Sequence, residues 1–263
     1  MADDPLLRVA RIPAGEFVMG ADDGDDDERP AHRAYLDEFF IGVHPVTNDE
    51  YARFVRETGH PSPAVREAPL MVPRDGEQAF RELAASYAWR DGHPPGGRGR
   101  HPVTLVTIDD ALSYCGWLAA GTGKPIRLPT EAEWERGSRG TVAHGRYPWG
   151  DELDPSCANF LADPAEKRQR GTVPVGSYPP NGFQLFDMAG NVWQWVSDWY
   201  APDYYGRSQY LNPQGPDFGS LRIIRGGAWV SEGSYLRCAH RHKVPEDSYS
   251  YSIGFRIAYS TRL

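Results

Sequence analysis

The sequence predicts a single α+β domain with much ordered loop, running over residues 1–263. Three observations predict it. Capping boxes, in which a Thr and the acidic residue three positions on satisfy each other's backbone N–H groups, announce helices after Thr47, Thr107 and Thr130. From residue 136 onward the chain breaks into short apolar stretches separated by Gly, Pro, Asn and Asp, the pattern of short strands and turns. No internal repeat or low-complexity tract divides the chain into parts.

The elements follow in order. Residues 7–19 alternate apolar and polar side chains around Pro13, Ala14 and Gly15, which predicts a β-hairpin. Residues 21–28 read as a solvated acidic loop; they lack the glycine and terminal glutamate of a helix–loop–helix calcium site. The helix after Thr47, with Glu50 in its box, carries Tyr51, Phe54 and Val55 on one face. Residues 61–102 read as loop, with a short helix near 77–86. The helix after Thr107, with Asp110, carries Ala111, Tyr114, Cys115 and Leu118 on one face, so Cys115 is expected as a small core residue. The sequence Gly-Thr-Gly-Lys at 121–124 lacks an upstream strand and a following Ser or Thr. It reads as a helix stop with a left-handed glycine, not a phosphate loop. The third capped helix starts after Thr130, with Glu133.

Composition narrows the function classes. Net charge is −8 and no basic stripe exists to neutralise phosphates, so no nucleic-acid partner is expected. No 20-residue apolar run exists, so no membrane span is expected. The start, Met-Ala-Asp-Asp-Pro-Leu-Leu-Arg-Val-Ala, has neither a basic nor an apolar region of a secretory signal, and the three cysteines are odd in number and widely spaced. Both features predict a cytoplasmic protein with reduced thiols. No Gly-x-Ser-x-Gly elbow appears, so a hydrolase nucleophile is not supported.

A series of segments recurs in a fixed order: IPAGEFVMG (12–20), IGVHPVTNDEY (41–51), RLPTEAEWE (127–135), NGFQLFDMAGNVWQWVSDWY (181–200), RIIRGGAW (222–229) and SIGFRIAY (252–259). This order resembles the formylglycine-generating-enzyme, or sulfatase-modifying-factor, family. The resemblance covers nearly the whole chain and implies that family's loop-rich variant of the C-type-lectin fold. Family enzymes oxidise a peptide cysteine with copper held by two cysteine thiolates, soft ligands suited to Cu(I). The first of those cysteines matches Ser231; the second matches Leu236 by straight counting and Gly233 when the shorter segment is realigned from Cys238. The family's active-site serine matches Ala228, and Cys238 matches a cysteine that does not bind metal. No copper is therefore expected at the family site.

The resemblance also implies structural Ca²⁺. One ion would take Asp187, the carbonyls of Gly190 and Val192, and Gln194. From the residues alone, the same stretch reads as a tight turn and a core strand with Trp193 and Trp195 packed. A second ion would take Asn159 and Phe160, with Asp163 or Glu166 standing in for a later acid.

Two further patterns stand out. His240 and His242 lie two residues apart, on one side if the segment is a strand, with Glu246 or Asp247 as a third metal ligand. Residues 244–252 alternate Ser and Tyr, including Tyr249 and Tyr251, as adaptable binding surfaces do; a packed strand with exposed serines accounts for the same pattern. The leading expectation is a binding or accessory protein that takes a peptide, protein or small ligand near Ala228, Trp229, Ser231, Gly233, Cys238, His240, His242, Tyr249 and Tyr251. The alternatives are an oxidoreductase with a His-based metal site and a divergent formylglycine-generating enzyme.

Overall fold

A computed structural model describes residues 7–66, 76–142, 145–162 and 171–260. Helices α1 (Asn48–Thr58), α3 (Ile108–Thr122) and α4 (Glu131–Arg139) all begin in the predicted capping boxes, with both reciprocal hydrogen bonds formed. Helix α2 runs Glu77–Ala85. Gly59 and Gly123 end α1 and α3 in the left-handed conformation, which a glycine adopts without Cβ strain.

Nine strands form three sheets among the described residues. Strands β1 (Val9–Ile12) and β9 (Ala258–Ser260) flank β4 (Phe39–Gly42), all antiparallel. Strands β2 (Gly15–Met19) and β3 (His32–Leu36) pair as a two-stranded ribbon. The third sheet has the order β7 (His242–Pro245), β6 (Leu221–Arg225), β5 (Trp193–Trp199), β8 (Ile253–Phe255), with β5 and β8 parallel.

The hairpin expected over residues 7–19 does not form. Residues 9–12 and 15–19 are both strands, but the bend between them sends each to a different sheet. One core lies between α1, α3 and the four-stranded sheet, and includes Tyr51, Phe54, Tyr114, Cys115, Trp195 and Phe255. A second lies under α4, where Trp134 packs with Phe17, Ile41 and Val196. Trp193 and Trp195 are packed in β5 as the tight-turn reading expected. No described helix is long and apolar enough to cross a membrane.

Candidate functional site

The segment that follows β6 is held from below by an arginine. Arg225 is wholly buried and donates to the carbonyls of Cys238 (2.7 Å), Ala239 (2.9 Å) and His240 (2.7 Å), and to Glu135 Oε2 (2.6 Å). Glu135 also takes Arg139 and is held below the usual carboxylate range; burial opposes this, and the two guanidinium groups prevail. Gly226 follows at φ 97°, and a Cβ there would stand 2.9 Å from the Met188 carbonyl, so the close turn requires glycine.

The positions that match the copper cysteines do not fit Cu(I). Ser231 Oγ accepts the Ala228 N–H at 3.0 Å, and its own N–H reaches the Ala228 carbonyl at 2.9 Å, so the hydroxyl closes a turn. A Cβ on Gly233 would meet the Leu153 side chain at 2.3 Å. Leu236, the other counting, is a buried core residue beside Phe160 and Tyr147. The three cysteines are free and separate in environment. Cys115 sits in the main core, its thiol pushed up to about 12 by burial. Cys238 is buried against Ser138 Oγ at 3.3 Å, its thiol pushed up to about 11 by burial. Thiols so placed stay protonated near neutral pH, and Cu(I) needs thiolate.

His240 and His242 stand in a box of rings. His242 stacks on Trp193 at 4.9 Å, Tyr235 meets His240 edge-on at 5.0 Å, and the two imidazoles lie 6.3 Å apart, 27° from parallel. Burial, then the neighbouring His240 and Lys243, lower His242 to about 4, so it is neutral near pH 7. The expected third ligands are elsewhere: Glu246 is paired with Arg222 at 2.7 Å, and Asp247 is exposed. The acids beside His240 are Asp25 and Glu28, whose nearest oxygens lie 3.3 and 3.6 Å from Nδ1.

The acidic loop is therefore not simply solvated. Asp27 and Glu28 are buried. Asp27 takes the Tyr200 hydroxyl at 2.7 Å and Lys243 at 3.2 Å. Glu28 takes Arg237 in two parallel bonds of 2.5 and 2.7 Å. Burial alone would raise the Glu28 carboxyl, but His240 and Arg237 hold it at about 2. A signal was present in the sequence: six of residues 22–28 are acidic, and five of residues 237–243 are Arg, His or Lys. Opposite charge runs of similar length pair across some two hundred positions, a separation that local pattern reading does not bridge.

Next to this junction opens a cleft of about 470 Å³, lined by Asp23, Arg139, Arg146, Asp151, Glu152 and Arg237. Each arginine has an acidic partner: Glu135 for Arg139, Asp23 for Arg146, and Glu28 for Arg237. The lining itself carries three acids and three arginines, and of the acids Asp151 and Glu152 have no ion-pair partner among the described residues.

The remaining site residues fall in other places. Asp187 is buried, takes the Gly176 N–H at 2.8 Å and the Asn191 amide at 3.2 Å, and is raised above the usual carboxylate range by burial. Gly190 and Val192 lie in the same buried turn. Gln194 does not offer its oxygen as expected: Oε1 accepts both Trp134 Nε1 (3.0 Å) and Arg256 Nε (2.6 Å), while its amide donates to the Asp187 carbonyl. Asn159 binds the Gly171 carbonyl through its amide and Phe160 is buried; Asp163 and Glu166 lie outside the described residues. Trp229, Tyr249 and Tyr251 pack with Phe80 and Tyr87 in a core cluster of their own. Residues 248–252 are all buried, so neither an exposed Ser–Tyr surface nor a strand with exposed serines is present. The reason is that α2 and residues 87–88 cover them, with Tyr249 bonding the backbone of Arg66.

Comparison with known proteins bears on the fold and the family. A formylglycine-generating enzyme of Streptomyces coelicolor is 40% identical over 281 residues, covering 94% of this chain and 88% of that protein. The inactive C-alpha-formylglycine-generating enzyme 2 of Mus musculus is 32% identical, covering 98% of this chain and 87% of that protein. Among solved structures, PvdO from Pseudomonas aeruginosa superposes with a TM-score of 0.76 at 29% identity, covering 96% and 94% of the two chains. The sulfatase-modifying factor enzyme 1-like domain matches residues 3–261. With the fold, the ordered motifs and these matches in agreement, the chain belongs to the formylglycine-generating-enzyme, or sulfatase-modifying-factor, family.

Proposed function

We propose that this chain is a family member that does not run copper-dependent cysteine oxidation and instead binds a peptide or small ligand in the cleft beside Arg237. The observation that carries the reading is the pair Ser231 and Gly233: a hydroxyl already bonded within its own turn, and a glycine roofed by Leu153. A relative of similar length bears the name of an inactive formylglycine-generating enzyme, which supports loss of the chemistry on a retained scaffold. The unpaired carboxylates of Asp151 and Glu152 suit a ligand with a basic group, such as a peptide bearing arginine.

The test is fluorescence anisotropy with a labelled Cys-x-Pro-x-Arg peptide, beside an aerobic, copper-supplemented turnover assay read by mass spectrometry. Binding without oxidation, weakened by Asp151→Asn with Glu152→Gln or by Arg→Glu in the peptide, supports the proposal. Turnover assigns the chain to the divergent enzyme reading instead. No binding overturns the cleft.

The turn at 187–192 remains our proposed calcium site, now resting on Asp187. Its buried carboxylate meets two N–H donors and is raised by burial, a setting that a hard cation relieves. Gln194 drops out of the ligand set, because its oxygen is held by Trp134 and Arg256.

A further inference from the structure

We propose that Asp25, Glu28 and His240 form a binding site for a first-row divalent cation, with the guanidinium of Arg237 seated in the cation's place. The argument for the site rests on neither the peptide-binding reading nor the calcium turn, although Arg237 also lines the cleft.

One oxygen of Asp25, one of Glu28 and a ring nitrogen of His240 all lie within 4.8 Å of one another. Liganding a single ion requires only a modest contraction of that triangle. Glu28 is fully buried and His240 is 7% exposed. Neither nitrogen of His240 makes a hydrogen bond, although Nδ1 faces both carboxylates. Nδ1 has only these long carboxylate contacts and Nε2 has no partner, a setting that a bound ion completes. Two carboxylates and one imidazole make a mixed O,O,N donor set, which suits Mn²⁺, Fe²⁺ or Zn²⁺.

Arg237 explains how the cluster stands without an ion. Its Nη2 lies 3.1 Å from Asp25 Oδ2 and 2.7 Å from Glu28 Oε1, the same two oxygens that face His240 Nδ1. Its Nη1 grips the other Glu28 oxygen at 2.5 Å. Of the two carboxylates, the one guanidinium compensates one. A divalent cation on the three ligands cancels both carboxylate charges, and Arg237, which also lines the cleft, swings toward that open side. Asp25 has 60% of its side chain exposed, so the ion has an entry path.

The experiment is calorimetric titration of chelator-treated full chain with Mn²⁺ and with Zn²⁺, on the wild type and on Asp25→Asn, His240→Gln and Arg237→Gln. The expected result is one equivalent bound by the wild type. Affinity should fall at least about tenfold in Asp25→Asn and His240→Gln, and rise in Arg237→Gln, which removes the competing cation. A tenfold excess of Ca²⁺ should leave Mn²⁺ binding in place, since imidazole is a poor calcium ligand. Binding seen only in Arg237→Gln also supports the site, with Arg237 as its plug. Failure of both the wild type and Arg237→Gln to bind, or unchanged binding in both ligand variants, overturns it. Melting curves without metal are recorded for each variant. If His240→Gln does not fold, the exposed Asp25→Asn decides.

Discussion

Arg225 and Glu135 meet at 2.6 Å with neither side chain exposed, and that contact, beside Arg225–Glu131 at 3.4 Å, ties helix α4 to the strand that feeds the family's Arg-Gly-Gly turn. The same guanidinium holds three successive carbonyls at 238–240. Arg225→Met removes the Arg225 donors from those carbonyls and leaves Glu135 with Arg139 as its ion-pair partner, beside the Gly20 N–H and the Tyr205 hydroxyl. Loss of one partner from a buried pair costs about 3–5 kcal/mol, so urea unfolding should show a loss of that order. Arg225→Lys should recover little, because one ammonium cannot span all four acceptors. A loss under about 1 kcal/mol in Arg225→Met contradicts this account.

The capping boxes differ in what else they hold. Thr107 receives the Asp110 N–H, and Asp110 in return receives the Thr107 backbone N–H and hydroxyl. Thr107→Ala should cost about 1 kcal/mol, and Thr107→Ser very little. Asp110→Ala should cost more than Thr107→Ala, because Asp110 also binds His60 at 3.0 Å and pairs with Arg66. Equal costs in a denaturant titration go against this ranking.

Asp198 makes stability fall as pH rises. Its carboxyl is buried, beside Glu131, and is raised to about 7 by burial first and that neighbour second. Below about pH 4 it is protonated in the folded and the unfolded chain and has no effect. Between about 4 and 7 the unfolded chain releases the proton while the fold keeps it, so this group opposes folding increasingly, by up to roughly 4 kcal/mol. Asp198→Asn keeps an oxygen for the Glu131 N–H, now accepted at 2.8 Å, and removes the ionisation. The variant should therefore gain stability over the wild type between pH 4 and 7. Parallel melting-temperature curves for the two proteins across that range refute the assignment.

Calcium should act through Asp187. Millimolar Ca²⁺ is expected to raise the melting temperature of the wild type and to leave Asp187→Asn unmoved. An equal rise in both proteins, or none in the wild type, excludes the turn as the site.

What the sequence revealed follows the range of the interactions. The capped helices, the left-handed Gly123 and the core placement of Cys115 were legible, because each depends on residues within one or two turns of helix. Motif order alone places Ser231 and either Gly233 or Leu236 where the family resemblance puts cysteines. The hairpin over residues 7–19 was misread because alternation marks strands and not their partners: Ile12 pairs with Phe39 and Met19 with His32. The Ser–Tyr run was misread because composition does not say what lies on top of it, and here α2 does. The acidic loop was misread because its partners, Arg237, His240, Arg241 and Lys243, lie at the far end of the chain.

The sheet β1–β4–β9 carries a consequence for how the molecule is made. Strand β4 pairs on one side with residues 9–12 and on the other with residues 258–260. While the chain is being synthesised, β4 has its first neighbour early and must wait for its second until nearly all the described protein has emerged. The first sheet is completed by the last strand, so a nascent chain carries a bare strand edge for most of its synthesis. That edge is an opening for a chaperone, or for a second nascent chain, until β9 arrives to cover it.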